Sequence, residues 1–93
     1  MIKPPNQIKI KNKCVYEVVH IDGFLDDAET MGECRYDIQQ IVLKKGLTKT
    51  QEVKTLIHEI IHALCFERKI EISHKAIYQL EDAIYYIITR NKF

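Results

Sequence analysis

The feature of this sequence that most constrains its fold is a change of hydrophobic period near Thr48. Before that residue, β-branched and aromatic residues form short runs separated by turn residues, which is typical of strands. After it, apolar residues recur every three or four positions, which is typical of amphipathic helices. A chain of 93 residues has room for one domain only. We therefore expect a single domain over residues 1–93 with an α+β fold, strands first and helices second.

The first half predicts a small antiparallel sheet of about three strands. Strands at Gln7–Lys11 and Cys14–Ile21 flank a turn at residues 12–13. The second of them is apolar on both faces, as expected of a central strand. The acidic segment at residues 22–33 contains glycine at positions 23 and 32, which predicts a loop. We expect the third strand at residues 39–44.

The second half predicts two helices. Thr48, with Gln51 three positions later, forms a capping-box pattern for a helix from Lys49 to about Arg68. Ser73 can cap a second helix that runs to about Arg90. Each helix carries an apolar stripe. The stripes consist of Val53, Leu56, Ile57, Ile60, Ile61 and Leu64 in the first helix, and of Ile77, Leu80, Ile84, Ile87 and Ile88 in the second.

The first helix contains the sequence HEIIH, with His58 and His62 four positions apart. Such residues lie on one helix face, so their imidazoles can bind one zinc ion at about 2.0–2.1 Å. Glu59 is rotated to the neighbouring side, where it can act as a general base toward a water on the ion. Both histidines lie off the apolar stripe and therefore face solvent or a cleft. The alternative interpretation is an ordinary polar helix flank.

A catalytic zinc site usually has three protein ligands and one open position. The metzincin extension HExxHxxGxxH is absent, because Cys65 and Arg68 stand where it needs glycine and histidine. The second helix offers two candidates, His74 in its first turn and Glu81 further along. Both lie on the same flank of the apolar stripe, so the spacing leaves the third ligand open.

The run MGECRYDIQQIVL…TQEVKTLIHEIIHAL resembles short zincin-like proteins of phages and prophages, the minimal metallopeptidases. The resemblance covers nearly the whole chain, and HExxH is its specific part. It implies a zincin-like fold with HExxH on the active-site helix, a Zn2+ cofactor and peptidase activity. The matching residues are Gly32, Tyr36, Gln40, Ile41, Leu43, Thr55, Leu56, His58, Glu59, His62 and Ala63.

The family tends to carry an acidic residue where this chain has His74, and both imidazole and carboxylate bind zinc. The chain also resembles, more distantly, SprT-like metalloproteases, in which a third histidine follows HExxH across a linker. The resemblance thus implies His58, His62 and His74 as metal ligands. Glu81 is then the alternative third ligand, or it orients a histidine by accepting its other N–H. Tyr78, on the same flank, is a candidate stabiliser of the oxyanion.

The leading hypothesis is a zinc-dependent metalloendopeptidase with Glu59 as general base. Its peptide or protein substrate could bind as an added strand on the predicted strand at residues 39–44. The alternative is a non-catalytic zinc-binding structural or interaction domain, in which a fourth ligand such as Cys65 would close the position that water needs. A third hypothesis is an interaction protein without metal.

Composition limits the classes of binding partner and the cellular compartment that we expect. A net charge of +1 gives no reason to expect nucleic acid or an anionic membrane as partner. The three cysteines form no CxxC pair and are expected to be small buried residues in a reducing compartment. The sequence has no signal-peptide run and no apolar stretch of about 20 residues. We expect a cytoplasmic protein; the sequence leaves its substrate and oligomeric state open.

Overall fold

The computed structural model describes residues 5–25 and 27–92 of the chain. The strands are β1 (Gln7–Lys11), β2 (Cys14–Ile21), β3 (Gly32–Arg35) and β4 (Gln40–Lys44). The helices α1 (Lys49–Arg68) and α2 (His74–Arg90) follow them. This order confirms the predicted α+β fold. No helix within the described ranges is both long and apolar enough to cross a membrane.

The sheet differs from the prediction in strand number and in direction. It has four strands in the order β1-β2-β4-β3. The two outer pairs, β1 with β2 and β3 with β4, are antiparallel. The central pair, β2 with β4, is parallel, with Glu17 opposite Gln40 and Ile21 opposite Lys44. The prediction of an antiparallel sheet of about three strands is therefore wrong on both points.

The additional strand is β3, which begins inside the segment that the sequence predicted as a loop. Its four residues include Gly32 and two charged side chains, a composition that weakens any strand pattern. β3 and β4 form a hairpin whose turn ends at Gln39, with φ 51° and its N–H donating to the Tyr36 carbonyl at 3.3 Å. The predicted third strand at 39–44 therefore begins one residue later in the structure, at Gln40.

Both helices begin directly after the predicted capping residues, Thr48 and Ser73, and end at the predicted residues, Arg68 and Arg90. The Thr48 hydroxyl accepts the Gln51 N–H at 3.1 Å, and the Gln51 side chain accepts the Thr48 N–H at 3.0 Å. The Ser73 hydroxyl accepts the Ala76 N–H at 3.1 Å and so caps α2. α1 ends at Arg68, because the left-handed backbone of the following residue, Lys69 (φ 55°), stops the helix.

α1 lies between the sheet and α2, so its apolar residues form two buried faces rather than one. Leu56 and Ala63 pack against β-strand residues, among them Tyr16, Ile41 and Leu43. The second face packs against Ile77 of α2 and consists of Val53, Ile57 and Ile61. This burial on two sides fixes the orientation of α1, and with it the direction of its polar edge.

The predicted apolar stripe of α2 is only partly buried. Ile77, Ile84 and Ile88 pack toward α1. Leu80 and Ile87, which the sequence placed in the same stripe, remain 43% and 50% exposed on the outer flank of the helix. The inward face of α2 is therefore shifted toward the flank that carries the candidate ligands His74 and Glu81.

Candidate metal centre

Three histidines meet where the start of α2 crosses α1. His58 and His62 project from successive turns of α1, and His74 is the first residue of α2. One nitrogen from each ring can be chosen so that all lie within 4.8 Å of one another. His58 and His62 are half-buried, whereas His74 is exposed. Of the two third-ligand candidates, it is His74 that joins this histidine group.

The spacing of the histidine nitrogens fits a tetrahedral metal ion. The Nε2 atoms of His58 and His62 lie 3.1 Å apart. Two nitrogens that bind one tetrahedral zinc at about 2.0–2.1 Å lie roughly 3.3–3.4 Å from each other. The ring of His74 lies 5.2 Å from that of His58 and 5.3 Å from that of His62, measured between centroids. The donor set therefore fits Zn2+, and three histidines leave one position of a tetrahedron open.

The electrostatics of the group keep one histidine neutral, as metal binding requires. Burial lowers the pKa of His62, and the neighbouring His58 and His74 lower it further, because another positive charge there would be repelled. A neutral imidazole presents a lone pair to a metal ion.

Glu81 contacts the Nδ1 atom of His58 and not the Nε2 atom, which lies next to His62. Its Oε1 atom is 2.9 Å from Nδ1 of His58, and both side chains are largely buried, at 12% and 14% exposure. The Nδ1–H of His58 donates to this carboxylate, which leaves the lone pair on Nε2 directed toward His62. A carboxylate in this position fixes the tautomer and ring orientation of a metal-binding histidine.

Glu59 is a buried acid next to the histidine group. It is 7% exposed on the side of α1 that faces β3. Burial raises the pKa of its carboxyl to about 7, and the negative charges of Glu33 and Glu81 contribute. An acid whose pKa lies near neutrality can both accept and donate a proton at physiological pH.

The position of Glu59 depends on Gly32, the first residue of β3. A Cβ atom at Gly32 would lie 2.5 Å from Cγ2 of Thr55 and 3.4 Å from Cγ of Glu59. β3 therefore approaches α1 so closely that only a glycine fits at this point. This close approach buries Glu59.

The two tyrosines on the candidate-ligand flank of α2 have different surroundings. The Tyr78 ring lies 4.8 Å from the rings of both His58 and His74, measured between centroids, and it is 54% exposed. Tyr85 lies farther along the helix, where its hydroxyl donates to Thr50 at 3.3 Å. Only Tyr78 is thus placed beside the histidine group.

Cys65 and a further histidine, His20, lie outside the histidine group. Cys65 packs beside the apolar residues between α1 and α2 and does not belong to the histidine group. His20 is exposed and lies 2.7 Å from the Glu52 carboxylate of α1.

Two open cavities flank the histidine group. One, of about 340 Å3, is lined by His58, Glu59, Tyr78, Glu81 and the polar residues Glu29 and Lys54. The other, of about 350 Å3, lies on the side of His62 and His74. Its remaining lining residues are mostly apolar: Tyr36, Cys65, Phe66, Ile70, Ile72 and Ile77.

Sequence reasoning missed the roles of Gly32 and Phe66. Gly32 was interpreted as a loop residue and as part of a family resemblance, and its packing against Thr55 depends on a strand that was not predicted. Phe66 stacks on Tyr36, with ring centroids 4.4 Å apart. Its position on α1, four residues after His62, was the available signal that it borders the site.

Comparison with protein-family models, with curated proteins and with solved structures found no match. The resemblance to minimal zincin-like metallopeptidases therefore stays a prediction that rests on the HExxH motif and its surroundings.

Proposed function

We propose that this protein is a zinc-dependent metalloendopeptidase. The observation that carries the proposal is the approach of His58, His62 and His74 around one point, with the buried Glu59 beside them. Among residues 5–25 and 27–92, no fourth histidine, cysteine or carboxylate belongs to this group. Three ligands with an open position are typical of catalytic zinc, whereas structural zinc usually has four protein ligands.

Each residue has a distinct task in this proposal. His58, His62 and His74 hold the ion, and Glu81 orients His58 through its Nδ1–H. Zinc bound there would polarise a peptide carbonyl and lower the pKa of a water to about 7. Glu59 accepts the proton of the attacking water and passes it to the leaving amine. The Tyr78 hydroxyl donates to the carbonyl oxygen as that oxygen gains negative charge.

We place the peptide along β3 rather than along the strand that the sequence suggested. β4 has neighbours on both sides, so a substrate strand cannot be added to it. β3 pairs with β4 alone in the described sheet and begins at Gly32, in contact with the helix that carries Glu59. A peptide added to its free edge would be bound in extended form mainly by its backbone.

The non-catalytic alternative is that zinc only fastens α2 to α1. The histidine group does connect the two helices, which gives this alternative a structural basis. It gives no role, however, to the buried Glu59 beside the histidine group.

The described cysteines are free thiols, and a cytoplasmic location remains part of our proposal on that ground.

The test combines metal analysis with hydrolysis of an unfolded protein substrate. We expect about one zinc per chain in the wild type, measured by mass spectrometry after loading and desalting. His58→Ala and His74→Ala should lose it, whereas His20→Ala, which removes a histidine outside the group, should keep it. Glu59→Gln should retain zinc and lose hydrolysis of fluorescent casein.

Three other outcomes would each reject a part of the proposed function. A wild type that takes up no zinc would reject both the peptidase and the structural zinc domain. Zinc binding without hydrolysis by the wild type would favour the structural domain. Hydrolysis that persists in Glu59→Gln would remove Glu59 as the general base.

A further inference from the structure

We propose that the cavity on the side of His62 and His74 is a specificity pocket for one large, uncharged apolar side chain of the substrate. This inference rests on the proposed function, because it assigns the chemistry of the peptide that the histidine group would cut. We call this cavity, lined by Tyr36, His62, Cys65, Phe66, Ile70, Ile72, His74 and Ile77, the apolar pocket.

The walls of the apolar pocket are aromatic and aliphatic side chains from four parts of the fold. The rings of Tyr36 and Phe66 stack at 4.4 Å with an angle of 20° between their planes, which joins the β3–β4 turn to α1. Ile77, 4% exposed, comes from α2. Ile70 and Ile72 belong to the connector between the helices.

The pocket leaves apolar surface in contact with water. Phe66, Ile70 and Ile72 are 57%, 44% and 38% exposed, and all of them line this one cavity. Single exposed apolar residues are ordinary, but several around one concave site indicate a binding surface. A substrate side chain that enters the pocket would remove part of this surface from water, which is favourable.

The position of the pocket identifies what can fill it. His62 and His74 belong both to its lining and to the histidine group. A side chain in the pocket must therefore belong to a residue next to the bond held at that group, since an extended peptide advances about 3.3 Å per residue. A cavity of about 350 Å3 is at the small end of ligand sites, which suits one side chain.

The residues that line the apolar pocket disfavour a positively charged side chain. Apart from its two imidazoles, the pocket presents no ionisable group other than the Tyr36 hydroxyl and the Cys65 thiol. An ammonium group entering it would lose water and meet no negative charge, beside the zinc ion that the proposed function places at His62 and His74. The cavity on the other side of the group includes Glu29, Lys54 and Glu81, so the two sides of the cleavage point differ in polarity.

The test measures peptide binding by a protein that cannot cut. Zinc-loaded Glu59→Gln is titrated into fluorescein-labelled decapeptides of glycine and serine that carry a single central Phe, Leu, Ala or Lys. We expect the Phe and Leu peptides to bind at least about tenfold more tightly than the Ala peptide, and the Lys peptide to bind most weakly.

Two variants, one with a change in the pocket and one with the same change outside it, test whether the pocket causes the preference for apolar side chains. Ile70→Asp, made in the Glu59→Gln background, places a charge in the pocket and should abolish the preference for Phe and Leu. Ile87→Asp makes the same change at a residue of similar exposure on the outer flank of α2, away from the pocket, and should preserve it. Equal affinity for all four peptides, or equal behaviour of the two variants, would overturn the inference.

A parallel measurement separates this inference from the proposed function. Wild-type cleavage of a denatured protein is mapped by mass spectrometry of the products. Absence of cleavage together with selective binding of the Phe peptide would reject the peptidase and leave the pocket standing. Cleavage that depends on Glu59 but shows no apolar residue beside the cut bonds would reject the pocket and leave the peptidase standing.

Discussion

The carboxylate of Glu81 lies 2.9 Å from Nδ1 of His58, and the opposite nitrogen of the same ring lies 3.1 Å from Nε2 of His62. Glu81 therefore acts on the histidine group through His58 and not as a member of the group. An outer carboxylate of this kind usually changes metal affinity without being required for binding.

Glu81→Ala should weaken zinc binding about 10- to 100-fold, because His58 loses the acceptor that fixes its tautomer. The measurement is a competition titration against a chelating dye. Asp82→Ala is the matched control, since Asp82 is the next residue and bonds to Lys54 at 2.8 Å. A loss as complete as that of His58→Ala would make Glu81 a metal ligand instead.

Gly32→Ala should lower the free energy of unfolding by about 1–3 kcal/mol, because its Cβ would lie 2.5 Å from Cγ2 of Thr55. Urea unfolding of the metal-free protein measures the change. Gly23→Ala is the control, because the nearest atom to its Cβ would be 3.9 Å away. Adding Thr55→Ser to Gly32→Ala removes the clashing methyl group and should restore part of the loss. Equal effects of the two alanines would contradict this packing.

Glu59 should make the metal-free protein less stable as pH rises from about 4.5 to about 7. Its folded-state pKa is raised to about 7 from an ordinary value of 4.5, so its favourable contribution is complete below 4.5 and is lost through the folded pKa. Glu59→Gln should therefore gain up to about 3 kcal/mol over the wild type at pH 8 relative to pH 4. Urea unfolding with EDTA at both values tests this. A difference between the two proteins that does not change with pH would contradict the raised pKa.

Tyr78→Phe should lower kcat about 100-fold and leave zinc content unchanged, because it removes only a donor to the developing oxyanion. Tyr86→Phe is the control, since Tyr86 is on the same helix, is 61% exposed and stacks against Arg90. Equal kcat values for the two variants would remove Tyr78 from the chemistry.

The local signals in the sequence were sufficient for the helices. Thr48 with Gln51 and Ser73 with Ala76 are contacts within one helical turn, so their effect does not depend on the rest of the fold. The four-residue spacing of His58 and His62 is local in the same way. The apolar pattern of α1 also predicted that His58 and His62 lie outside its apolar stripe.

The sheet could not be predicted in this way, because its centre depends on contacts between distant residues. Strands that pair in parallel are not joined by a tight turn, so no turn residues in the sequence mark them as partners. Val19 of β2 and Val42 of β4 are paired in this way. The approach of His74 to the histidine group also depends on how α2 packs. That packing is set by Ile77, Ile84 and Ile88, and the sequence could not separate them from the exposed Leu80 and Ile87.

The parallel pairing of β2 with β4 has a consequence for the order of folding. Each of the two hairpins can form from neighbouring residues, but joining them requires position 17 to meet position 40 and is therefore slow. Only after that step can β3, carrying Gly32, lie at the edge of the complete sheet against α1. We expect late protection, in pulsed hydrogen exchange, of the β2 and β4 amides that donate across the β2–β4 pair. Early protection of these amides would contradict this order. In this order the β3 edge is complete only after two distant segments have paired, and the histidine group only after α2 has packed on α1, so both depend on late, long-range contacts.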